Sequence, residues 1–118
     1  MAKVAANGKS LGKSNIVDFE NIIYCESMSY LNGVFTIQKP GFYEVSINFD
    51  SLWYSGLQVD LLVNNLGGFL FGERTGNGSL NMSTIVELNY NDKVNVRIRK
   101  GKTTTYQDAN NFSIRKID

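Results

Sequence analysis

The chain has no histidine, one cysteine and one proline in 118 residues, and each scarcity excludes something. Without imidazole, a Ser-His-Asp or Cys-His nucleophile system cannot be assembled, and the commonest general base is missing. A single thiol, Cys25, rules out an intrachain disulfide. Small secreted domains commonly rely on such bridges, so the expectation is a chain that folds in a reducing cytosol. Cys25 ends the apolar run Ile22-Ile23-Tyr24-Cys25 and reads as a small buried hydrophobe. No apolar stretch approaches the roughly 18 residues of a membrane helix, and MAKVAANGKSLGKSN carries no signal-peptide h-region. The expectation is no membrane insertion and no export by the Sec route. A net charge of +1 argues against a nucleic-acid partner, which calls for a basic stripe. The one basic run, Arg97, Arg99, Lys100 and Lys102, reads as a solvated strand face and turn, with phosphate or glycan contact as its functional counterpart.

What is present is alternation. Residues 30–49, YLNGVFTIQKPGFYEVSINF, hold the lone Pro40, followed at once by Gly41. Val34 to Lys39 places Phe35 and Ile37 on one face. Phe42 to Phe49 turns Tyr43, Val45, Ile47 and Phe49 inward. A side-chain period of two is what a half-buried strand needs, and proline beside glycine belongs at a turn. Further strands are expected at Ile16–Phe19 with Ile22–Tyr24, at Leu57–Asn65, at Phe69–Phe71, at Leu80–Tyr90, at Val94–Ile98 and at Phe112–Ile114. Gly72–Gly78 and Gly101–Asn111 read as polar loops, and residues 1–15 as an arm that is flexible or ordered by a partner. Strands recurring between turn signals define an all-β antiparallel sandwich over residues 16–118.

The order Tyr30, Gly33, Phe35, Pro40-Gly41-Phe42-Tyr43, then Val59 to Asn64, then Leu88-Asn89-Tyr90-Asn91-Asp92-Lys93-Val94, then Phe112-Ser113-Ile114 resembles the complement q subcomponent globular head and the related tumour necrosis factor-like jelly rolls. Asn91 stands where that family usually carries glycine, and asparagine tolerates the same left-handed geometry. Residues 1–15 ahead of the segment hold no collagen-like Gly-X-Y repeat. The resemblance implies a jelly roll assembled as a homotrimer. Val34, Phe42, Leu62 and Ile85 fall on the polar phase of otherwise clean strands and are the candidate trimer contacts.

No catalytic constellation emerges, and no cofactor is expected. The carboxylates are scattered; Asp60, Asp92 and Asp108 are the ones weighed as calcium ligands, since some relatives bind calcium, but no dense oxygen-ligand loop is present, so no metal site is assigned. Trp53, Tyr54, Arg74, Asn77 and Tyr106 lie in loops and are the candidate partner-binding residues, because aromatics at loop tips stack on sugars or anchor proteins. The expectation is a noncatalytic structural or attachment protein of a virus particle made in the host cytoplasm, such as a bacteriophage capsid decoration, head-fibre or tail-fibre module. Its partners would be its own copies, other virion proteins through the arm, and a host surface glycan or protein. The alternatives are a receptor- or glycan-binding tip and a cytokine-like or bacterial surface ligand.

Overall fold

The computed structural model describes residues 1–52, 56–105 and 109–117. Two antiparallel sheets face each other. In sheet I the order is β3 (Asn21–Cys25), β1 (Ala2–Ala5), β11 (Asn111–Lys116), β6 (Gly41–Ser51) and β9 (Gly78–Leu88). In sheet II it is β4 (Met28–Leu31), β5 (Val34–Ile37), β10 (Lys93–Lys102), β7 (Leu57–Val63) and β8 (Phe71–Arg74), with β2 (Gly12–Ser14) joined to β10.

The core follows the expected alternation. Tyr43, Val45, Ile47 and Phe49 from sheet I meet Leu57, Val59, Leu61, Val94, Val96 and Ile98 from sheet II, and all are buried. Phe19 supplies the aromatic centre from a segment outside the ladders. Its ring stacks on Phe49 at 5.9 Å and lies 6.0 Å from Phe112, which in turn meets Phe35 edge-on at 5.2 Å. The Phe19 backbone N–H donates to the Tyr30 hydroxyl at 3.0 Å. Tyr30 is largely buried, and that burial pushes its phenol well above the ordinary range.

Three expectations need correction. Residues 1–15 are not an arm: β1 lies between β3 and β11, pairing Ala2 with Ile114 and Val4 with Phe112. Ala2 and Val4 are fully buried. Two alanines around one valine carry little hydrophobic signal, and what makes this segment a strand is backbone pairing on both edges, to β3 and β11. Ile16–Phe19 crosses the fold without joining a strand, although the Val17 N–H donates to the Val96 carbonyl at 2.9 Å. The third is a shift along the chain. β8 occupies part of the supposed loop Gly72–Gly78, and β9 stops at Leu88, leaving Tyr90 in a turn and 72% exposed.

Local backbone demands match the sequence. Asn91 is left-handed, with φ 71°. Gly33 has φ 89°, and a Cβ there would lie 2.7 Å from both Ile16 Cγ2 and the Val17 carbonyl oxygen, so only glycine lets the β4–β5 turn approach that segment.

Candidate functional site

Sheet I presents one outward face built by register. Phe42 pairs with Glu87 and Glu44 with Ile85, which sets Phe42 and Ile85 diagonally on the same side of adjacent strands. They are 45% and 60% exposed. Beside them Arg115 Nη2 reaches Glu44 Oε1 at 2.8 Å. Toward the other end the face is small and uncharged: Ser46 pairs with Ser83 and Asn48 with Asn81, and Asn48 Nδ2 donates to Asn111 Oδ1 at 3.0 Å. The far edge, β3, exposes Ile22, Ile23 and Tyr24. Shallow hollows of about 200 Å³ at Ser46, Asn48, Asn81 and Ser83, and about 250 Å³ at Lys3, Ala5, Ile23 and Asn111, pit this face.

The four residues singled out as trimer contacts do not form one patch. Phe42 and Ile85 share the sheet I face. Val34 lies on β5 of sheet II, paired with Leu31 and half-buried. Leu62 is buried, at 4% exposed, and is no surface residue. The connection between β7 and β8 folds back over it: the Val63 and Leu66 backbones bond to each other in both directions, and Gly67 lies over Leu62, Asp60 and Arg97. An out-of-phase apolar residue on a strand was covered by its own chain. The same strap leaves Leu66, Phe69 and Phe71 exposed, at 66%, 39% and 53%. The sequence reading missed these three, and the signal was there: apolar residues interrupted by Gly67-Gly68 cannot all turn inward.

Under that strap Arg97 grips Asp60 with two bonds, Nε to Oδ1 at 2.9 Å and Nη2 to Oδ2 at 2.5 Å. Asp60 is therefore neutralised and cannot serve as the calcium ligand it was weighed to be. Asp92 is also committed, accepting from Asn64 Nδ2 at 3.0 Å and the Asn89 N–H at 2.7 Å. Asp108 lies outside the described residues. Among the described residues no three His, Cys, Asp or Glu side chains stand together in a way that could hold a metal ion. Cys25 is half-buried, donates to the Met28 carbonyl at 3.2 Å, and has its thiol pushed up by burial. Among the described residues no helix is long and apolar enough to cross a membrane.

The strand ends that flank the candidate partner-binding residues converge. β6 ends, β7 starts, β8 ends, β9 starts and β10 ends at the same side of the sandwich, because Ser51 pairs with Gly78, Leu57 with Arg74, and Ser51 bridges to Thr103. Trp53, Tyr54 and Tyr106 lie outside the described residues. Arg74 folds onto its own turn, with Nη2 donating to the Asn77 carbonyl at 3.0 Å and packing over Gly78. The basic run is regrouped as well. Arg97 is taken by Asp60, while Lys13 on β2 joins Arg99, Lys100 and Lys102, since Ser14 pairs with Ile98 and Gly12 with Lys102 on either side of it.

Two antiparallel sheets whose first and last strands lie side by side define a jelly-roll module of the tumour necrosis factor type. A C1q domain model matches residues 1–114, and the chain belongs to that family. Among solved structures it is similar to the globular domain of zebrafish complement 1qA protein, with 18% identity, a TM-score of 0.75 and coverage of 99% of this chain and 96% of that one. It is likewise similar to Eiger TNF from S. frugiperda (12%, 0.76, 99% and 91%) and to murine APRIL (11%, 0.70, 98% of both). No curated protein sequence matches the chain significantly.

Proposed function

We propose that the chain is a noncatalytic jelly-roll module that works as a homotrimer. Domains of this family are typically trimeric ligand or structural modules. The observation that carries the reading for this chain is a pair of dissimilar apolar patches. One is Phe42 with Ile85 on the sheet I face, and the other is Leu66, Phe69 and Phe71 at the β8 edge of sheet II. Two different patches fit a heterologous contact, edge on face, and such a contact closes into a ring when the rotation allows it. Covering Phe42 or Ile85, each already half-buried, is worth about 1 kcal/mol, so the contact draws on several side chains at once. Light scattering after size exclusion tests this. Three times the 13.2 kDa chain mass is expected, and a monomer at micromolar concentration overturns it.

Within that class we assign the module to attachment or assembly of a virus particle, of the capsid-decoration or fibre kind. A lone half-buried thiol with no disulfide suits a chain folded in host cytoplasm. Antibody against the chain should label purified particles, and labelling confined to cell surfaces would instead favour the cytokine-like or surface-ligand reading. A receptor- or glycan-binding tip is the second reading, favoured by the gathering of the ends of β6, β8 and β10 and the starts of β7 and β9 at one end.

A further inference from the structure

The positive charge of this nearly neutral chain is unevenly placed. β2 runs beside β10, so Lys13 lies across from the segment Arg99–Gly101, with Lys102 one pair further along. All four cationic side chains are exposed. Lys13, Arg99 and Lys100 enter no ion pair among the described residues. Asp60 holds Arg97, Glu20 holds Lys9, Asp18 accepts from the Tyr30 hydroxyl and the Glu20 N–H, and Glu73 takes the Gln58 amide. At the end of this strip, where Leu52 donates its N–H to the Lys102 carbonyl, a hollow of about 310 Å³ opens between Ser10, Leu52, Thr103, Thr104 and Thr105. Leu52 is 41% exposed there.

We propose that this strip and hollow bind a linear anionic polysaccharide, resting on the attachment reading above and naming its ligand. The cations are spread along two strands and do not converge on a point, which fits charges repeated along a chain better than a single phosphate. The hollow sets the exposed Leu52 side chain beside Ser10 and the threonines 103–105, a mixed apolar and polar lining of the kind that suits a sugar ring. A nucleic acid is the weaker match, because the chain as a whole carries a net charge of only +1 and this is its one basic run.

The test uses the full chain and immobilised heparin as the probe, with polygalacturonate, a thymidine oligonucleotide and phosphatidylserine vesicles in parallel. The expected result is heparin binding at 0.15 M salt that weakens as salt rises. It should fall at least tenfold in K13Q/R99Q/K100Q and be unchanged in K39Q, an exposed lysine at the other end. Absent binding, binding unmoved by the triple variant, or equal or tighter binding of the oligonucleotide or vesicles overturns the proposal. Light scattering on the same samples separates the two claims. A trimer that ignores heparin overturns this inference alone, and a monomer that binds it through the strip overturns only the trimer.

Discussion

Asp60 and Arg97 face each other across β7 and β10 as a two-bond ion pair, and the Gly67 backbone lies over both. The pair is one unit with the strap that also buries Leu62. Removing one partner leaves the other charge without its counterpart at a partly buried site. Asp60→Ala should therefore lower stability measurably, but by less than breaking a fully buried pair, because the Arg97 side chain keeps 28% of its exposure and can turn to water. Urea unfolding measures it. A loss below roughly 0.5 kcal/mol would place the pair with ordinary surface bridges.

Phe19 is the side chain on which both sheets and the crossing segment depend. Phe19→Ala should destabilise by about 3–5 kcal/mol, the range for emptying an aromatic site in a packed core. Phe19→Leu should cost clearly less. Thermal or denaturant melting of the two variants against the parent would show that order, and equal losses would contradict the stacked geometry.

Ile85→Asp puts a charge on the sheet I face without touching the core, since Ile85 is 60% exposed. The expected outcome is an unchanged monomer fold by circular dichroism and a fall in mass from trimer to monomer. Leu62→Asp should behave oppositely, unfolding the chain rather than separating copies, because Leu62 is buried within one subunit.

Asn91 occupies a left-handed turn position. Asn91→Gly should be neutral or mildly stabilising, and Asn91→Val should cost on the order of 1–2 kcal/mol in backbone strain. Chemical denaturation distinguishes them.

Tyr30 gives a pH signature. Its phenol is held above the ordinary value near 10 chiefly by burial. The folded state therefore keeps a proton that the unfolded chain releases. Stability carried by this group is present in full below about pH 10 and declines as pH rises above it. Tyr30→Phe should flatten the alkaline part of the stability profile between pH 9 and 11. It should also cost about 1 kcal/mol at neutral pH, since the Phe19 N–H loses its acceptor.

Much of the sandwich was legible because its central strands alternate cleanly: Tyr43 to Phe49, Leu57 to Leu61 and Val94 to Ile98 all turn as their period requires. The Asn91 turn was readable from one side chain. Illegible features depended on contacts distant in sequence. β1 is short and alanine-rich, and only the presence of β3 and β11 on its flanks makes it a strand. Leu62 looked exposed because the strap that hides it is irregular. Lys13 belongs to the basic strip through a pairing that no spacing announces. The loop aromatics Trp53, Tyr54 and Tyr106 were chosen on residue type, which says where a partner could sit but not how.

The pairing of Ala2 with Ile114 also sets the timing of biogenesis. Within this domain the first strand gains one of its two neighbours only after β11 has been made, so sheet I closes late relative to the ladders built from strands adjacent in sequence. Folding must begin from the hairpins in between and finish as a single late event with a large loop to close. Until then the chain carries unpaired strand edges, and a nascent chain stalled before residue 111 would be a substrate for chaperones or proteases.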